Sequence, residues 1–248
     1  MQKKRIFLFI MCIALTALVC LKASDIATAQ NQTGNVSFKT PEEAITLYMQ
    51  GVTQGDVGKI LQACAINEVS ENFKFDLYTD RLKAFIPYQS PAPSNYPFYV
   101  EMNKAQLTSQ ILGQVKIFVF SLLSSEKIAD GNVIIIDPDR TAKFIKDVDP
   151  TKLAQLEVKK FALPNKTIMS STKYTDNVTK IARVYGADEY TERVALFLFD
   201  GNYYFMGFTL LRYGETWKIL NANSPLAGTS SIGAPQKTTE KDFEGVTN

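Results

Sequence analysis

Histidine is absent from all 248 residues, which removes the commonest general base near neutral pH and the commonest zinc ligand together. Ser-His-Asp and Cys-His nucleophilic catalysis are excluded with it. The chemistry left to the chain belongs to carboxylates, tyrosine hydroxyls and a thiol. A carboxylate whose pKa is raised by burial can take a proton, and a tyrosine hydroxyl beside it can stabilise the oxyanion that forms. Asp137, Asp139, Asp147 and Asp149 invite a calcium-type oxygen site. Their spacing is not that of an EF-hand loop and Lys143 and Lys146 fall between them, so they read as solvated loop charges. Gly201, Gly207 and Gly214 do not lead from a strand into a helix carrying Lys and Ser or Thr. They mark turns or a bulge, not a phosphate loop. No metal and no cofactor is expected.

Individual side chains have ordinary packing roles to weigh against chemistry. Cys64 sits among Leu61, Ala63 and Ile66 and reads as a small buried hydrophobe, not a reactive thiol. Tyr48 falls on the apolar face of a helix, where its ring is expected in the core with the hydroxyl hydrogen-bonded. Tyr203 and Tyr204 are neighbours in a strand and point to opposite faces, so at most one of them faces any cavity. Trp217, the sole tryptophan, shares a strand face with Ile219 and is expected to fill the core.

The elements that position these residues follow from patterning. Thr40-Pro41-Glu42-Glu43 is a helix start, with Thr40 as cap, Pro41 at the first helical position and Glu43 completing a capping box. Ala44, Ile45, Tyr48, Met49 and Val52 then keep helical spacing until Gly55, and Asp56 caps a second helix through Cys64. Residues 73 to 99 combine aromatics with Pro87, Pro91, Pro93 and Pro97 and predict a long covered loop. A helix follows from about Asn103 to Leu123, then a buried strand over Val133 to Ile136 and a short helix begun by Asp149-Pro150. Strands are expected over Leu156 to Leu163 and Thr167 to Ser170, and a helix over Tyr174 to Tyr185. Arg193 to Phe199, Tyr203 to Arg212 and Thr216 to Leu220, parted by Asp200-Gly201-Asn202 and Gly214-Glu215, form an antiparallel meander. After Ser224 apolar residues are sparse, and a mobile tail over 224–248 is expected.

The first 29 residues read as an export signal: Lys3, Lys4 and Arg5, an apolar run from Ile6 to Leu21, and Ala27-Thr28-Ala29 before a cut at Gln30. The alternative is that the run is retained as an N-terminal anchor, although it is short of the roughly 20 residues of a spanning helix. Val19 before Cys20 argues against lipidation. The expected location is secreted or extracytoplasmic, at the cell envelope. The signal holds four of the 27 basic and one of the 25 acidic residues, so the chain from Gln30 onward is nearly neutral. A neutral chain without a basic run does not support nucleic-acid binding. Residues 30–39 read as a linker and 40–223 as a single domain.

Thr40-Pro41-Glu42-Glu43-Ala44, the Gly55-Asp56 break and Tyr213-Gly214-Glu215-Thr216-Trp217-Lys218-Ile219, in that order, resemble the nuclear-transport-factor-2-like, or cystatin-like, α+β roll. The resemblance implies a curved antiparallel sheet packed on helices around a conical cavity, here with a long middle insertion. It also implies that Tyr48, Asp76, Tyr78, Tyr203 and Tyr204 are candidates for the wall or mouth of that cavity. Four of them, Tyr48, Tyr78, Tyr203 and Tyr204, are the expected ligand contacts, and no catalytic residue is assigned. Because such folds host isomerases, dehydratases and binding domains alike, the expectation is a noncatalytic domain that binds a small molecule, a peptide or an envelope protein. The alternatives are a structural subunit that forms a homodimer through an open sheet face, and a cofactor-independent isomerase or lyase.

Overall fold

The computed structural model describes residues 36–87, 90–125, 129–130, 133–134 and 138–247. The signal segment, the end of the strand expected to reach Ile136, and Asp137 lie outside the described residues. Ser37 to Asn248 form one compact unit.

Helix α1 (Pro41–Gln54) starts as its sequence dictates: the Thr40 hydroxyl accepts the Glu43 amide at 3.2 Å. The Glu43 carboxylate reaches back one residue further than expected, to the Lys39 amide at 2.7 Å. Helix α2 (Val57–Gln62) is capped by Asp56, which accepts the Lys59 amide at 3.1 Å. The two helices approach so closely that a Cβ on Gly51 would lie 2.7 Å from the Ile60 side chain. The hairpin therefore needs glycine there.

Residues 73 to 99 are not one long loop. Two helices, α3 (Ile66–Asn72) and α4 (Phe75–Leu82), follow α2, and the long helix α5 (Pro97–Leu123) starts at Pro97 instead of Asn103. The physical reason is positional. No proline occurs between Phe73 and Ile86, and Pro97 occupies a first-turn position that has no amide to lose. Val133–Ile134 (β2) pairs with Ala129–Asp130 (β1) as a small hairpin. A 3₁₀ turn over Pro138–Arg140, helix α6 (Thr141–Asp147) and a 3₁₀ segment over Pro150–Gln155 lead to strand β3 (Glu157–Ala162). Thr167 to Ser170 are not a strand. Asn165, held at φ 40°, accepts the Ile168 amide at 2.9 Å and starts the short helix α7 (Lys166–Met169). Ser171 then caps α8 (Thr172–Val184).

The meander forms as patterned: β4 (Glu189–Phe199), β5 (Asn202–Tyr213) and β6 (Thr216–Asn221) extend an antiparallel sheet in the order β3-β4-β5-β6. One face packs Phe197, Met206, Phe208 and Leu210 against Ile45 and Tyr48 of α1 and Phe118 of α5. The edge of β6 is closed by two other segments. Phe38 donates to Thr216 Oγ1 at 2.8 Å and its carbonyl accepts the Trp217 amide at 2.9 Å, while Ala65 donates to the Ile219 carbonyl at 2.8 Å. Phe38, expected in the linker, is thus part of the fold. Trp217 is only partly buried, with the Arg212 guanidinium 6.0 Å from its ring, because it stands next to the Gly214 turn at the sheet's end.

The larger departure is at the C-terminus. Residues 224–247 are not a loose tail: β7 (Gln236–Thr238) pairs with Tyr203–Phe205 of β5, and α9 (Glu240–Thr247) follows. Phe243 is fully buried among Val194, Leu196 and Phe205 on the sheet's second face. Farther along that face, Leu211 and Leu220 pack with Ala182 of α8. Both faces are therefore covered, and the open face expected for a homodimer is occupied by the chain itself. Sparse apolar residues sufficed, since Phe243 alone supplies a large buried surface, with Ala227 and Val246 packed against it. Truncating Phe243 to Ala is expected to lower the free energy of unfolding by about 3–5 kcal/mol in urea titrations. A change within error would mean that the C-terminal helix does not stay on the sheet.

Candidate functional site

The four tyrosines expected as ligand contacts do not meet. Tyr48 is fully buried between α1 and the sheet, its ring edge-on to Phe208 at 5.5 Å. Among the described residues its hydroxyl has no hydrogen-bond partner, contrary to expectation, and burial pushes its pKa up. Tyr204 lies on the same inner face and stacks on Phe197 at 5.9 Å, whereas Tyr203 faces outward beside Glu240 of α9. Tyr78 is on α4, with its hydroxyl 2.6 Å from Ser90 Oγ. Asp76 is exposed on the same helix. Tyr48, Phe118, Phe197 and Phe208 fill the space between helices and sheet with their own side chains. Tyr48, expected to line a cavity, is instead part of this packed core, with Tyr204 against it.

The deep carboxylate belongs to Glu192, which is 3% exposed. One of its oxygens accepts the hydroxyls of Tyr174 and Tyr190, each at 3.2 Å. The other accepts Ser224 Oγ at 2.6 Å and the Leu226 amide at 3.0 Å. Burial first, and the Glu192 charge second, push both tyrosine pKa values up, which keeps their hydroxyls protonated as donors. Around the carboxylate, Ser224 donates its amide to Thr229 Oγ1 at 2.6 Å. A Cβ on Gly207 would lie 2.3 Å from that same amide nitrogen, so the 224–229 turn rests directly on β5. The arrangement has the residue types of an acid and oxyanion pair, but all four donors are internal and fixed. It works as a clamp that holds the C-terminal segment to the sheet.

Sequence reasoning missed Glu192 by one residue. The strand was expected from Arg193, and its true start at Glu189 places Glu192 on the face of Val194 and Leu196. A charge in register with two core residues was the available signal.

Other polar groups are similarly engaged. Lys218 is buried, donates Nζ to the Gln62 carbonyl at 2.7 Å and lies 4.9 Å from the Phe38 ring, while burial lowers its pKa. The Cys64 thiol donates to the Ile60 carbonyl at 3.2 Å, and burial raises its pKa. Asp147 binds Lys143 at 2.8 Å and Asp149 accepts the Thr151 amide at 3.0 Å. Among the described residues no three His, Cys, Asp or Glu side chains converge to hold a metal. An open groove of about 390 Å³ along the outside of α1 includes Phe38, Glu42, Glu43 and Leu47. Both carboxylates are occupied, Glu42 by Arg193 at 2.5 Å and Glu43 by the Lys39 amide.

The connection between α4 and α5 differs from all of these. Phe98 is 71% exposed, Tyr96 59% and Ile86 53%, with Leu82, Phe85 and Met102 about half exposed beside them in sequence. Among the described residues, both flanks of this connection are held by hydrogen bonds. Asn103 is buried and grips Ala92 with both amide atoms, at 2.7 and 2.9 Å. Ser90 is held by Tyr78 and by its amide bond to the Ile86 carbonyl at 3.0 Å. The Phe85 ring meets Phe75 at 5.1 Å and Tyr99 touches both Tyr96 and Phe98, at 5.8 and 6.0 Å. A pinned backbone presents apolar side chains outward. This tip is the candidate site, and Tyr78 is the expected residue that belongs to it.

No family model and no curated protein matches the chain. A crystal structure of a cystatin-like protein from Ruminococcus gnavus is similar in fold, with a TM-score of 0.56 and 18% identity over 88% of this chain. The chain spans about half of that protein, 48% of its length. The fold is cystatin-like.

Two substitutions separate packing from chemistry. Glu192→Ala leaves four donors unsatisfied and is expected to cost more than about 3 kcal/mol of stability, with Glu192→Gln costing less. Equal stability of both variants in urea would remove the clamp assignment. Tyr48→Phe deletes a buried hydroxyl without a partner and is expected to raise stability by about 1 kcal/mol. A loss of stability in the same titration would show that the hydroxyl is bonded.

Proposed function

We propose that the chain is an exported, noncatalytic recognition domain, a cystatin-like roll of the wider nuclear-transport-factor-2-like group, that docks through the apolar tip between α4 and α5. The observation that carries this reading is the exposure of Phe98, Tyr96 and Ile86 on a backbone pinned by Asn103 and Tyr78. Apolar side chains on a held backbone give up little ordering entropy on contact, and exposed apolar surface beyond scattered single residues marks interaction sites. Export is supported by Lys3-Lys4-Arg5, the run from Ile6 to Leu21 and Ala27-Thr28-Ala29. Among the described residues no helix is long and apolar enough to cross a membrane.

Two alternatives stand beside this reading. For an isomerase, Glu192 is not the base, because both its oxygens are taken by internal donors; the carboxylate pushed up by burial is Glu68, whose charge acts on Tyr213. A homodimer through the sheet face would have to displace Phe243 and α9.

A photo-crosslinking residue at position 98 of the full chain, produced in bacterial cells, tests the reading. An adduct is expected from position 98 and not from the exposed position of Lys173 on α8. Equal yields, or none at either position, would remove the tip as the docking surface.

A further inference from the structure

We infer that residues 236–247 form a detachable strap, and that the site beneath it takes the same strap from a second copy of this chain, giving a dimer by reciprocal exchange. This stands on the C-terminal segment and is independent of the tip.

The strap is separable from the rest of the fold. Among the described residues the inner core draws on nothing after Ala222, and the cluster around Leu211 and Leu220 on nothing after Leu220. Only the small cluster of Val194, Leu196, Phe205 and Phe243 includes the strap. Its attachment is slight: β7 pairs with Tyr203–Phe205 alone, α9 buries only Phe243 and Thr247, and the Asn165 amide bonds the Val246 carbonyl at 3.2 Å. Its helix starts from within, since Thr239 Oγ1 accepts the Asp242 amide at 3.1 Å. The chain upstream is fastened separately. Glu192 holds Ser224 and Leu226, Gln114 of α5 donates to the Ser231 carbonyl at 3.0 Å, and a Cβ on Gly233 would lie 2.9 Å from the Gln114 side chain. Pro235 then directs Ala234 to an extended conformation just before β7. Residues 232–235 are therefore the hinge, with a fixed clamp on one side and a lightly held element on the other.

Opening of a lightly held element is a local event that leaves the remaining fold intact. It uncovers two features together: the edge of β5 at Tyr203–Phe205, and the apolar floor of Val194, Leu196 and Phe205, which are 0, 3 and 7% exposed while the strap is closed. An open edge beside an apolar pocket takes an extended segment by strand addition, with backbone bonds supplying affinity and the pocket choosing the side chain. The segment that fits is already in place. Thr238, Lys237 and Gln236 lie opposite Tyr203, Tyr204 and Phe205, with Phe243 in the pocket. A second copy brings identical residues at identical spacing. Exchange therefore preserves every contact and alters only the hinge, the condition under which swapped dimers form at little cost. The second face of the sheet stays covered, so this dimer differs from one built on a bare face.

The test uses the chain from Gln30, which contains the whole compact unit and, of the cysteines, only the buried Cys64. Tyr203→Cys in one copy is mixed with Thr238→Cys in another, incubated at high concentration below the unfolding transition, then oxidised with glutathione disulfide. Register partners across an antiparallel pair lie within disulfide reach, so a heterodimer linked between positions 203 and 238 is expected at about tenfold or more the yield of Lys173→Cys mixed with Thr238→Cys. Adding Phe243→Ala to the Thr238→Cys copy is expected to cut that yield about tenfold or more, and adding it to the Tyr203→Cys copy to raise it. Yields no higher than the Lys173 control at every incubation time overturn the exchange. A second variant leaves the pocket untouched: deleting Ala234 and Pro235 shortens the hinge, which works against closure within one copy and leaves exchange free. Sedimentation is expected to show a larger dimer fraction than the parent at equal concentration. A fraction equal to the parent's or below it overturns the inference.

Discussion

Burying a carboxylate in a protein interior costs several kcal/mol unless donors replace its water, and Glu192 imposes that requirement on the second face of the sheet. Two of its donors, Tyr174 and Tyr190, come from α8 and β4. The other two, Ser224 Oγ and the Leu226 amide, come from the chain that leaves β6. Satisfying one charge therefore directs the path of the C-terminal segment. With the turn at 224–229 laid on β5, which glycine at 207 permits, the chain is delivered to where β7 can pair with Tyr203–Phe205 and Phe243 can enter the second core. The polar clamp and the apolar anchor support each other: the first sets the route and the second supplies the buried area.

The consequence for function is a matter of where space is left. The inner face of the sheet is filled by Tyr48, Phe197 and Phe208, and the outer face by α8 and α9. The edge of β3 is a poor template for another strand, since it is short, carries Lys159 and Lys160, and contains a register shift between Val158 and Lys160. The connection at the start of α5 is different. There the buried side of the chain is spent on holding the backbone through Asn103 and Tyr78, and the apolar side chains are left to the outside.

Much of this architecture was legible in local signals. The Thr40 cap, the Gly55-Asp56 break and the hairpin turns at Asp200-Gly201 and Gly214-Glu215 act over a few residues, and each appears where its chemistry requires it. The errors also have local causes. Aromatic and proline density in 73–99 hid helix α4, because the prolines begin only after it ends. Thr167 to Ser170 carry strand-like residues, but Asn165 caps a helical turn just before them. Of the candidate site, the sequence singled out Tyr78 and the Pro-rich segment without indicating that Phe98 and Ile86 would stay exposed.

Taken alone, the sequence determined the capped helical hairpin, the antiparallel meander, the want of histidine chemistry and the alternation that sets Tyr203 and Tyr204 on opposite faces. These depend on backbone preferences and periodicities that a short window contains. Tertiary structure alone decided that Glu192 is buried and saturated, that Phe243 closes the sheet, that Tyr48 fills the expected cavity and that Phe98 stays in contact with solvent. Each of those outcomes depends on which distant segment arrives to cover a given side chain, and Glu192 meets its donors across as many as 34 residues. Burial is a property of the assembled layers, so no local pattern could assign it.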